Sequence, residues 1–244
     1  SGKFRTSNDS QPLFDASPCS NEGPKTIRDG GINGVIDSFL KRLGKGGLYR
    51  KSNDHREEGI FSLSSGYITL QTKLDLSSTN RCGICIKNVD GTYFSNTIEE
   101  VQEFLRISNS EFRTEHILIN DKYGYLWIMI KGISIEDILV ASNGIVDVIV
   151  DRGFKDQVLA VVFEFRKTVS PNSNLDSPQL EPQFLIFNYK REKFYPFVPL
   201  ASQEKRHSDL ELVLASIISK EIPWETDMSV WYPMWDMPFN KMRA

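Results

Sequence analysis

The sequence predicts an α+β domain: a mainly antiparallel sheet built from three strand–strand–helix units, with the helices on one face. Three observations carry this. Strand-like and helix-like periodicities alternate in the same order from about Gly66, Glu111 and Gln157. The links between paired strands are short, as antiparallel neighbours require. Each helical stretch opens on Ser or Thr with an acid three residues later: Thr97 with Glu100, Ser134 with Asp137, and Ser208 with Glu211. Residue-level similarity between the units is weak, so they share a rhythm rather than a duplication.

Residues 1–31 are polar, rich in Ser, Asn, Asp, Gly and Pro, and lack periodicity. Such a segment buries too little apolar surface to offset its ordering entropy and reads as a disordered leader. Residues 32–47 read as a short amphipathic helix, with Val35, Ile36, Phe39, Leu40 and Leu43 on one face and Asp37, Lys41, Arg42 and Lys45 elsewhere. A helix this short needs a surface to lie on. That surface is the domain itself, a partner, or a bilayer interface. Residues 48–65 read as a linker.

From Gly66 to Phe239 the chain reads as one α+β domain, followed by a tail end at 240–244. GYITLQTKLDL alternates as a half-buried strand, Ser77–Asn80 turns the chain, and RCGICIKNV is its partner. The first helix places Ile98, Val101, Phe104 and Leu105 inward. EFRTEHILIN and YLWIMIKG form the second pair around the turn Asn120–Gly124. The next helix buries Ile135, Ile138, Leu139, Ile145, Val146 and Ile149 and ends at Gly153. QVLAVVFEFRK, a polar loop from Thr168 to Pro182 and the aromatic hairpin Phe184–Leu200 form the third unit. Its helix turns Leu210, Leu214, Ile217 and Ile218 inward, and Pro223 stops it. Pro196 lacks a donor, which pushes the last strand toward an edge. The tail holds Trp224, Trp231, Tyr232, Trp235 and Phe239; it either wraps the domain or docks on a partner.

Composition narrows the function. Net charge is −3, too near balance to argue for nucleic acid, yet residues 1–56 carry +4 and the rest −7. A basic front suits an anionic membrane surface or an acidic partner, but on charge alone a solvated tail is the favoured reading. No apolar run reaches the length of a membrane span. The cysteines Cys19, Cys82 and Cys85 are too few for a disulfide framework, which fits a cytoplasmic, reducing compartment.

Chemistry is sparse. Cys82 and Cys85 form a C-x-x-C, but within a strand their side chains alternate faces, so two buried inert thiols outweigh a redox or metal pair. His55, His116 and His207 show no metal spacing. There is no nucleophile elbow or phosphate loop, and Gly44–Gly47 lacks the P-loop spacing. No catalytic residue, cofactor or metal is expected.

The blocks IFSLSSGYITLQ, EFRTEHILINDKYGYLWIMI, FLIFNYKREKFYPFVPL and SDLELVLASIISKEIPWETDMSVWYPMWDMPF resemble the archaeal PspA-associated protein family, PspAB. The resemblance runs over roughly residues 34 to 239 and rests on aromatic and structural signatures. It implies a link with PspA, the phage-shock protein that coats stressed membranes, and no catalytic residues. The expected function is therefore a non-enzymatic accessory or adaptor protein of a PspA-type stress response. It would act by protein–protein contact, cytoplasmic and peripheral at the inner face of the membrane. Expected contacts are Val35, Ile36, Phe39, Leu40, Lys41, Arg42, Leu43 and Lys45, and the tail residues Trp224, Trp231, Tyr232, Trp235 and Phe239. The alternative is a secretion-chaperone-like module that holds a partner segment on an open sheet face.

Overall fold

The computed structural model describes residues 55–168, 181–200 and 204–242. The leader 1–31, the amphipathic segment 32–47 and most of the polar loop 168–182 lie outside the described residues. The chain runs α1 (His55–Leu74), β1 (Leu76–Lys87), α2 (Thr92–Phe112), β2 (Glu115–Asn120), β3 (Tyr125–Lys131) and α3 (Ile135–Asp151). It continues with β4 (Val158–Lys167), β5 (Gln183–Asn188), β6 (Lys193–Phe197) and α4 (Ser208–Ile218).

Two expectations at the front are corrected. The strand expected from Gly66 is the second half of α1, which also takes in most of the segment read as a linker. Ile60, Leu63, Tyr67, Leu70 and Leu74 are buried or half-buried at alternating steps of three and four residues, a helical stripe. Ile68, which the alternation of a strand over GYITLQTKLDL would put on one face with Leu70 and Leu74, is 63% exposed. The expected turn Ser77–Asn80 lies inside β1 as an irregularity in its pairing with β4. The first unit therefore has one strand and the third has three, and only β2–β3–α3 follows the expected pattern closely.

The α+β architecture stands. Six strands form one sheet in the order β2-β3-β1-β4-β5-β6, with every neighbouring pair antiparallel. Opposed residues in such pairs share a face. Cys82, Ile84 and Ile86 therefore stand with Ile128, Ile130, Val161, Phe163, Phe187 and Phe194 on the face that α1, α3 and α4 cover. Tyr67 of α1 lies against Phe165, and Gly59 lies over the Phe187 ring. α2 packs on α3, and the Arg152 guanidinium bonds Glu100 at 2.7 Å.

Helix starts follow local chemistry, with two corrections. Ser134 and Asp137 form the expected capping box of α3. α2 begins earlier than expected, at Thr92 after Gly91, and Thr97 sits inside it with its hydroxyl bonded to the Tyr93 carbonyl. α4 has His207 rather than a side-chain cap before it, because the Glu211 carboxylate turns back to the Val198 amide at 2.8 Å.

Candidate functional site

The second face of the sheet is covered by the chain itself. It carries Met129, Trp127, Cys85, Val162, Ile186, Tyr195, Phe184 and Phe197, all buried among the chain's own atoms. The cover is the segment from Pro223 to Met242, which crosses from the β6 side to β3 with only two short 3₁₀ turns, Met228–Val230 and Pro238–Lys241. The open sheet face expected for a chaperone-like module is thus occupied by this strap, with β2 at its margin only half-buried.

The strap holds because its sequence alternates aromatic anchors with polar clasps. Trp224 and Trp231 meet edge to face at 6.0 Å and are buried. Trp235 meets Phe197 at 5.0 Å, and Phe239 meets Phe184 at 5.1 Å. Each such ring contributes about 2–3 kcal/mol by burial, an upper range given a partly collapsed unfolded chain. Tyr232 and Trp235 are the half-exposed members of the expected tail contacts, whereas Trp224, Trp231 and Phe239 are buried.

Three clasps fix its course. Glu225, buried at 2% side-chain exposure, pairs with Arg191 of the β5–β6 turn and accepts from the Asp227 amide at 3.0 Å. The Arg191 bond, with further help from the Asp227 amide, holds this carboxyl below the usual carboxylate range. Arg206 is clamped by Glu211 at 3.0 Å, lies over the Phe197 ring, and donates to the Trp231 carbonyl. Lys122 in the β2–β3 turn reaches Asp236 at 2.6 Å.

Between strap and sheet lies a cleft of about 490 Å³. Its apolar wall is Phe184, Met234, Trp235, Met237 and Phe239, and its polar floor is Arg81, Glu164 and Arg166. The floor is made by the irregularity in β1. Ser78 pairs with Phe165 and Cys82 with Phe163, so Thr79, Asn80 and Arg81 all lie opposite Glu164 alone. A bulge of this kind bends the strand and re-aims a side chain. Asn80 takes a positive φ of 55° and Arg81 swings over Glu164.

Glu164 is 1% exposed, and such a charge is tolerable only if paired and hydrogen-bonded. Arg81 and Arg166 both pair with it, and the Thr79 hydroxyl donates at 2.9 Å. Arg81 also donates to the Phe239 carbonyl at 3.2 Å, so the same group that neutralises the floor ties down the strap. The product is a cleft with an aromatic wall beside two guanidiniums that Glu164 pairs with.

Cys82 lies on the helix face and Cys85 under the strap, as strand alternation required. Burial pushes both thiols far up, which disfavours the thiolate that redox or metal chemistry needs. Among the described residues no group of three or more His, Cys, Asp or Glu could hold a metal ion. No helix among them is long and apolar enough to cross a membrane. Val35, Ile36, Phe39, Leu40, Lys41, Arg42, Leu43 and Lys45 lie outside the described residues.

Sequence reasoning passed over Arg81, Glu164, Arg166 and Arg206. The available signal was Glu164 itself, a lone acid in the otherwise apolar VVFEF. Searches of curated proteins and of solved structures find no match. The family model described as PspAB, PspA associated protein B, matches residues 34–239, across the sheet, its helices and nearly all of the strap. The chain belongs to the PspA associated protein B family.

Proposed function

We propose that this protein is an accessory adaptor of a PspA-type envelope-stress response, acting by contact with a PspA-like protein near an anionic membrane surface. The match of residues 34–239 to a family described by its association with PspA carries this reading. The cleft beneath the strap supports it as the place of contact: its aromatic wall suits an apolar residue of a peptide segment, beside a polar floor whose charges are already paired. The basic segment Val35–Lys45 is the proposed membrane-facing part. Buried thiols and an internally neutralised floor support a binding role over catalysis.

The test is co-sedimentation of the full chain with anionic liposomes, with and without a purified PspA-like protein. Recruitment is expected when that protein coats the vesicles, falling as salt rises. Trp235→Ala should weaken recruitment while circular dichroism stays unchanged. If neither vesicles nor PspA-coated vesicles carry the chain down at low salt, the reading fails.

A further inference from the structure

The two edges of the sheet are treated differently. At β6 the edge is closed: Pro196 has no N–H, the Phe194 amide bonds the Pro223 carbonyl at 2.8 Å, and the Glu225 amide bonds the Phe194 carbonyl at 2.9 Å. Val198, just beyond, gives its amide to Glu211. At β2, with the sequence EHILIN, there is no proline, lysine or bulge, and the register to β3 is unbroken. Proteins usually guard a free edge with such devices.

The direction of the free groups follows from the ladder. The Asp121 amide donates to the Tyr125 carbonyl at 2.9 Å, so that pair is hydrogen-bonded. Bonded and non-bonded pairs alternate along antiparallel strands. Glu115, Ile117 and Ile119 therefore turn their main-chain groups toward β3, and His116, Leu118 and Asn120 turn theirs outward.

We propose that β2 pairs antiparallel with β2 of a second copy of this chain, about a two-fold axis at Leu118. In this register Leu118 opposes its own copy, Ile117 opposes Ile119, and His116 opposes Asn120. Three pairs of outward residues then exchange two hydrogen bonds each. Ile-Leu-Ile is palindromic about the axis and His116 meets Asn120, while one step further out Glu115 meets Asp121, a like-charge pair at each end that salt should screen. Ile117, Leu118 and Ile119 are only half-buried in one chain and gain apolar neighbours. A two-fold axis perpendicular to the sheet keeps both helix layers on one side. Because β6 is closed, pairing stops at two chains instead of running on into a fibre.

Sedimentation or light scattering on the full chain tests this. The expected mass is twice 27.9 kDa. Leu118→Pro deletes only an outward N–H, so the β2–β3 ladder survives while the dimer is lost. In a Cys19→Ser background, Leu118→Cys should crosslink to a dimer under mild oxidation, since hydrogen-bonded opposed residues lie about 5.5 Å apart, within disulfide reach. A monomer at the highest soluble concentration overturns the proposal. So does a folded Leu118→Pro protein that stays dimeric. Should Leu118→Pro fail to fold, the crosslink decides: its absence from the Leu118→Cys protein overturns the proposal, and its presence supports it.

Discussion

Glu164 shows how one side chain can organise a site. It stands mid-strand on a buried face, where an apolar residue would pack without penalty, and it survives there because Arg81, Arg166 and Thr79 surround it. Replacing it with Gln leaves Arg81 facing a neutral amide while its main-chain bond to the strap still holds it in place. Removing one partner of a fully buried pair costs about 3–5 kcal/mol. Arg166 is about half exposed, so Glu164→Gln should cost less, of the order of 2 kcal/mol. Urea unfolding reads this as a lowered midpoint at constant slope. An unchanged midpoint would show that the carboxylate is not what holds the bulge.

At the scale of elements, the crossing of α1 and α4 depends on Gly66. A Cβ there would come within 2.9 Å of both Ile218 Cδ1 and Ile222 Cγ2. Overpacking of that kind costs about 1–3 kcal/mol, so Gly66→Val should lower the melting temperature although it removes a helix glycine. Gly66→Ala should fall between, because its helix-propensity gain of about 1 kcal/mol offsets part of the strain. The strap gives a pH prediction. The carboxyl of Glu225 is depressed in the folded chain, so its stabilising effect is complete above the ordinary carboxylate range. It is lost as pH falls through that range toward the lower folded value. The tryptophan fluorescence of the strap should therefore change at acid pH before the helices melt, and Glu225→Gln should flatten this dependence. If the variant and the parent lose the strap signal at the same pH, the Arg191–Glu225 clasp is not the acid-sensitive one.

At the scale of the whole molecule, the sequence tells most where local and long-range signals agree. α3 has its capping box, its apolar stripe and its terminal glycine in register, and β2–β3 has a turn that Asp121 closes on itself. α1 misleads because Ile68, Leu70 and Leu74 satisfy strand alternation as well as a helical stripe. The residues that separate the two, Ile60 and Leu63, lie in a stretch whose polar neighbours suggest a linker. The bulge in β1 is illegible for another reason: Ser-Ser-Thr-Asn has turn chemistry, and Asn80 does take a positive φ, but Ser77 and Ser78 pair with Arg166 and Phe165 of β4, so the strand runs through it. The cleft floor draws on β1 and β4 and its wall on the strap, and no local window spans those distances. The aromatic tail is readable from its composition as too apolar to float free, but composition leaves wrapping and partner docking both open; the contacts of Trp235 with Phe197 and Phe239 with Phe184 are what lay it on the sheet.

The position of the strap in the chain sets an order of events during synthesis. β1 lies at the centre of the sheet and cannot be flanked on both sides until β4 has been made. The strap follows every strand, so the ribosome delivers the cover of the second face last. Until then the nascent chain holds Trp127, Met129, Ile186, Tyr195 and Phe197 without their lid. Long-range pairings of this kind fold slowly, and the exposed interval is when a chain is most prone to aggregate. The half-made protein thus exposes apolar surface that the finished one covers.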